Sequence, residues 1–202
     1  MGGLPANADR HLGGEAMTAT VWLDDRDYFD ADGVLTAEDF HQAVIRHGRN
    51  DAPALLHDLV LREKIDLDAT PGLVASAWCA AEKPRDLLPV DLWVEFFSKA
   101  GYTHDGVRAE KPSEPLRLYR GATSKLRRHM AWTTDLDIAD SFAFDNLRGR
   151  ERGVVYTALV PPEALLAFIG AEIGRGESEY VVSPSLLPRV RVYRTHREGE
   201  EL

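Results

Sequence analysis

Cysteine is almost absent from this chain of 202 residues. Cys79 stands alone, so no intrachain disulfide and no cysteine-based metal cluster can form. Its surroundings, residues 74–81, are apolar, and a buried, inert thiol is expected there. Long apolar runs are missing as well. The longest, residues 164–171, is far short of the roughly 20 residues that cross a bilayer, and no basic segment followed by an apolar core opens the chain, so cytoplasmic residence is expected. Met1-Gly2-Gly3 begins like a myristoylation signal, but Ala6 stands where Ser or Thr is required.

Several catalytic signatures are lacking too. The histidines show no HExxH or paired metal spacing, which removes zinc hydrolysis. There is no GxSxG elbow, no P-loop and no GxGxxG after a strand, so the usual signs of serine hydrolysis, phosphoryl transfer and Rossmann-type binding are missing. Asp30-Ala31-Asp32-Gly33 imitates part of a calcium loop. However, Tyr28 holds its first ligand place and Asp39, not Glu, its twelfth, so a turn into a capped helix is expected and no metal.

What is present is ordinary globular composition, 44% hydrophobic and 28% charged, which supports a packed domain rather than disorder. The net charge is -9, and the acidic excess falls in the first half. Such a surface repels a phosphate backbone, so nucleic-acid binding is disfavoured; the local basic stretch at 117–129 suits a small phosphate-bearing ligand better.

Residues 1–17 show no apolar period and are expected to form a mobile tail. A helical part is expected over 18–105. Thr36 can cap a helix that aligns Phe40, Ala43, Val44 and His47 before Gly48. A second begins at Asp51 with Pro53 in its first turn and Leu55, Leu56, Leu59 and Val60 inward; a third follows Thr70-Pro71 with Leu73, Val74, Ala77, Trp78 and Ala81 inward. A fourth covers 89–100, aligning Leu92, Trp93, Phe96, Phe97 and Ala100 up to Gly101. Residues 103–115 are expected to be a connecting loop. Over 106–202 a β core is expected, with strands at 116–120, 153–160, 179–182 and 190–193. Asp135 can cap a helix burying Ile138, Ala139, Phe142 and Ala143. The fold class is therefore α+β, helices first and a mainly antiparallel sheet second, in one compact unit.

Three stretches of the second half carry chemistry. In Leu118-Tyr119-Arg120-Gly121, Arg120 is a permanent forked cation suited to phosphate oxygens, and Gly121 would let a ligand approach bare backbone. The plainer alternative is a surface arginine beside a turn glycine. In Ala131-Trp132-Thr133-Thr134, which ends a short strand, the Thr hydroxyls can hold a neighbouring carboxylate and Trp132 can stack on a flat ring; otherwise the segment is core packing plus a helix cap. In Glu177-Ser178-Glu179-Tyr180-Val181-Val182, strand alternation places Glu177 and Glu179 on one side, a repulsion from which a purely structural strand gains nothing. Salt bridges to nearby arginines are the alternative.

In this order and spacing, with Ala139 and Phe142-Ala143 after the second piece, the three stretches resemble the arginine–serine–glutamate class of mono-ADP-ribosyltransferases, the class of cholera toxin, clostridial binary toxins and phage-encoded transferases. The resemblance covers roughly the last 85 residues by motif order. It implies NAD as substrate, bound by Arg120, Gly121, Trp132, Thr133, Thr134 and Phe142, and no metal. Glu179 would stabilise the oxocarbenium-like ribose as nicotinamide leaves, and Glu177 would contact the acceptor, which a carboxylate there favours as a protein arginine. Residues 170–176, with Gly170, Gly174 and Gly176, look like the family's mobile substrate-facing loop. The resemblance also implies a toxin or phage effector delivered into a target cell, or a regulator. The family's Ser-Thr-Ser stands here as Trp132-Thr133-Thr134, so the first serine's bond to the glutamate passes to Thr133 or to a shifted register. An NAD glycohydrolase with water as acceptor, and a catalytically reduced module docking a partner through its acidic helical half, are the rival functions.

Overall fold

The computed structural model describes residues 33–145, 151–174 and 176–197. The tail expected over 1–17, the start of the helical part at 18–32 and Arg175 of the glycine-rich loop lie outside the described residues.

Thr36 opens helix α1 (Ala37–His47) through a capping box: its hydroxyl accepts from Asp39 N at 3.2 Å, while Asp39 Oδ2 accepts from Thr36 N at 2.9 Å. Such a cap contributes about 1 kcal/mol. Asp39, the twelfth place of the discarded calcium loop, is thereby committed to the helix start. Phe40 and Ala43 are fully buried, and the helix stops at Gly48, whose φ of 103 favours glycine. Helix α2 (Ala52–Leu61) buries Leu56 and Leu59, and α3 (Gly72–Ala80) buries Leu73, Val74, Ala77 and Trp78. A single turn, α4 (Pro84–Leu87), precedes α5 (Val90–Ala100), which buries Trp93, Phe96, Phe97 and Ala100. Trp78 meets Trp93 edge-on at 5.1 Å and Phe97 at 5.9 Å, so α3 and α5 lock through aromatic rings. Burial of each such side chain is worth about 1.5–3 kcal/mol. Cys79 departs from expectation: it is partly exposed, in the last turn of α3.

Among the described residues eight strands form one sheet in the order β2-β1-β6-β7-β4-β3-β5-β8. They are β1 (Thr103–His104), β2 (Val107–Arg108), β3 (Leu116–Ala122), β4 (Ala131–Thr133), β5 (Val154–Val160), β6 (Leu165–Ile169), β7 (Glu179–Val182) and β8 (Arg191–Arg194). Every pairing is antiparallel except β1 with β6. The architecture is thus mixed α+β, with helices leading and a mostly antiparallel sheet following. Two features go beyond the sequence reading. Part of the expected loop at 103–115 is a minimal hairpin turning at Asp105-Gly106, and the apolar run around 164–171 supplies strand β6.

One face of the sheet buries Leu118, Trp132, Tyr156, Ala158, Val160 and Val182 in a single cluster. On the other, α6 (Leu136–Phe144), capped by Asp135, packs Ala139, Ala143 and Phe144 against Val155 and Tyr119. Here Gly121 has a role different from the one expected. A Cβ at this position would lie 2.0 Å from Ala139 O and 2.5 Å from Ala143 N, so the glycine admits the backbone of α6 rather than a ligand. The half-buried Arg194 donates from Nη1 to the buried Asp140 Oδ2 at 2.7 Å and ties β8 to the same helix. No helix among the described residues is long and apolar enough to cross a membrane.

Candidate functional site

Strand register brings the three chemical stretches together. Tyr119 pairs with Thr133, and Thr133 pairs with Glu179, which in turn pairs with Ile169. Paired residues share a face, so Tyr119, Thr133 and Glu179 form one row across β3, β4 and β7. Only this single pair joins β3 to β4, and beyond it the two strands part. Arg120 is the next residue on β3, on the other side of the pleat from Tyr119. Its Nε donates to Leu126 O at 2.9 Å and its Nη1 donates to Ala131 O, bracing the segment that connects the parted strands.

Glu179 begins β7 and is the electrostatic centre of the site. The residue is half-buried, and Oε1 accepts a hydrogen bond of 2.7 Å from the Trp78 indole N–H. Burial pushes the carboxyl up to about 7. The Trp78 hydrogen bond opposes that rise, the neighbouring charge of Glu177 adds to it, and the guanidinium groups of Arg120 and Arg85 pull it down. Glu179 therefore sits where small environmental changes switch its charge near neutral pH.

Glu177 is close enough for its charge to act on Glu179, but not for the reason strand alternation supplies. It precedes β7, and Ser178 between the two has φ 44, in the left-handed region, so the extended backbone is interrupted there. Thr133 is buried, and its hydroxyl donates to Glu177 O at 3.1 Å and accepts from Asp135 N at 3.0 Å. It holds the main chain of the acidic motif rather than a carboxylate. Thr134 is exposed beside the α6 cap, and Phe142 is partly buried on α6. Trp132 takes the packing alternative: it is 2% exposed within the sheet core, with its indole N–H on His129 O at 2.7 Å, and offers no ring face to a ligand.

The basic stretch is likewise bound to carbonyls. Arg127 donates to Ser124 O at 2.7 Å, and Arg128 donates to Pro184 O, Leu187 O and Pro188 O, pinning residues 184–188. The glycine-rich segment leaves β6 with Gly170 N donating to Asp105 Oδ1 at 2.7 Å, so its first residue is anchored to the β1–β2 turn.

Sequence reasoning missed Trp78 and Arg85 in this neighbourhood and read His129 only as the end of the basic stretch. Trp78 was legible as core but not as a donor; the available signal was an indole N–H on an otherwise apolar helix, which needs a distant acceptor once buried. Arg85, on α4, and His129, to whose Nδ1 Arg85 donates, carry no motif that would have joined them to Glu179. Among the described residues no group of three or more His, Cys, Asp or Glu side chains could hold a metal ion. In comparisons with family models, with curated proteins and with solved structures, the chain matched none.

Proposed function

We propose that this chain is a mono-ADP-ribosyltransferase that transfers ADP-ribose from NAD to an arginine of an acceptor protein and releases nicotinamide. The observation that carries the reading is the row Tyr119–Thr133–Glu179, with Arg120 adjoining it. Three stretches far apart in sequence meet there, and Thr133 stands where a bracing hydroxyl is needed.

In this reading the glycosidic bond between nicotinamide and C1' of the ribose breaks with its electron pair leaving on nicotinamide, and positive charge develops on the ribose. The Glu179 carboxylate stabilises that charge and accepts the 2'-hydroxyl. A carboxyl poised near pH 7 is driven to its ionised form by the cationic nicotinamide riboside beside it. An acceptor guanidine nitrogen then bonds to C1', and its surplus proton passes to Glu177. Arg120 and Arg85 supply the positive field for the diphosphate, as their effect on Glu179 supports.

The test is incubation of the protein with adenylate-labelled NAD and a mixed cell lysate, followed by mass spectrometric location of the label. Labelled arginine is expected. Label on other residue types would overturn the acceptor assignment. NAD consumed without any labelled macromolecule would make water the acceptor, and no consumption would favour the binding-module reading.

A further inference from the structure

We infer that Trp78, on the helical side of the molecule, is the positioning residue for the Glu179 carboxylate, which makes the helical part a working component of the site. This rests on the transferase reading above, although one arm of its test does not.

Three observations carry it. Trp78 is 5% exposed, and its N–H is donated to Glu179 Oε1 at 2.7 Å across 101 residues of sequence. The indole cannot drift, because it is wedged edge-on against Trp93 and Phe97, and Trp93 is itself tied to Pro84 O at 3.1 Å, where α4 begins. The carboxylate thereby has one oxygen fixed by a rigid donor, which leaves Oε2 to meet the ribose hydroxyl.

The chemical type of the donor matters. A lysine or arginine at this distance would orient the carboxylate while cancelling much of its charge. A neutral N–H orients it and leaves the negative charge available to the developing oxocarbenium ion. The charged groups acting on Glu179 are Glu177 just before β7, Arg120 on β3 and Arg85 on α4 beside His129. Trp78 adds a directional bond to that field, and the bond favours the ionised form.

Two variants remove the N–H. Trp78→Phe keeps an aromatic ring, and replacing the indole by benzothienylalanine keeps the bicyclic shape should the smaller ring disturb folding. Each is read in two ways. In NAD turnover, kcat should fall roughly ten- to a hundredfold, the range for losing one hydrogen bond to a charged group. KM should change little, and the acid limb of the pH profile should move to higher pH. By carbon-13 carboxyl NMR, with Glu179→Gln assigning the signal, the Glu179 midpoint should rise above about 7. A purely structural Trp78 would lower stability and leave both midpoints in place, and that result overturns the inference. Should the unmodified protein leave NAD intact, the transferase reading fails while the NMR titration still decides whether Trp78 governs Glu179.

Discussion

Thr133 stands directly across the β4–β7 ladder from Glu179, yet its hydroxyl donates to the carbonyl of Glu177, two residues earlier. One side chain thus joins the acidic motif to the start of α6, since the same oxygen accepts from Asp135 N. Thr133→Val keeps the shape and deletes both bonds. Leaving these groups unsatisfied should cost about 1–3 kcal/mol of stability. Urea unfolding measures it; an unchanged midpoint would mean that neither bond holds the site together.

Gly121 lets β3 and α6 touch through their backbones. Gly121→Ala would place a methyl 2.0 Å from Ala139 O, and a main-chain oxygen cannot swing aside as a flexible side chain does. Overpacking of this kind costs about 1–3 kcal/mol, occasionally more. A variant with full stability by chemical denaturation would contradict the close contact.

Arg120 braces the segment between β3 and β4 with two directional bonds. Arg120→Ala should weaken NAD binding by about 1.5–3 kcal/mol, the range for losing a charge-assisted hydrogen bond. Arg120→Lys should recover only part of it, because a point charge does not reproduce the fork. Calorimetric titration with NAD checks both, and unchanged affinity in the Ala variant removes Arg120 from the ligand site.

Glu179 carries a stability signature of its own. Its folded-state pKa of about 7 lies above its ordinary value of 4.5, so the folded protein binds the proton more tightly than the unfolded chain does. Its contribution is fully present below pH 4.5 and is lost as the pH rises towards 7. Glu179→Gln escapes that loss. The variant's stability relative to the parent should therefore grow between pH 4.5 and 7 and stay constant above. Unfolding curves at pH 4, 6 and 8 would show it, and a pH-independent difference would contradict the raised pKa of Glu179.

The helices marked by periodicity and caps and the strands β3, β5, β7 and β8 were legible in the sequence, and β1, β2 and β6 were not. Thr36 with Asp39, Gly48, Asp135 and Gly101 punctuate helices through local chemistry, which a linear reading captures. Strand β6 is buried and lacks apolar–polar alternation, so nothing local separated it from any other apolar run. The two-residue strands β1 and β2 exist through their register with each other and with β6, although Asp105-Gly106 is a turn signal. At the site, Arg120, Thr133 and Glu179 were found through motif order. The function of Gly121 depended on where α6 lands, and that of Trp78 on an acceptor 101 residues away. Glu177 was read as sharing a side with Glu179 because a left-handed Ser178 leaves no mark on the alternation of types.

In the proposed mechanism the Glu179 carboxylate stabilises the charge that develops on the ribose as nicotinamide leaves and contributes little to ground-state binding. Steady-state NAD cleavage by Glu179→Gln, measured beside NAD affinity, tests it most directly. The variant keeps size and loses the charge, so kcat should fall on the order of 100-fold or more while affinity changes little. Turnover at the parental rate would contradict the account.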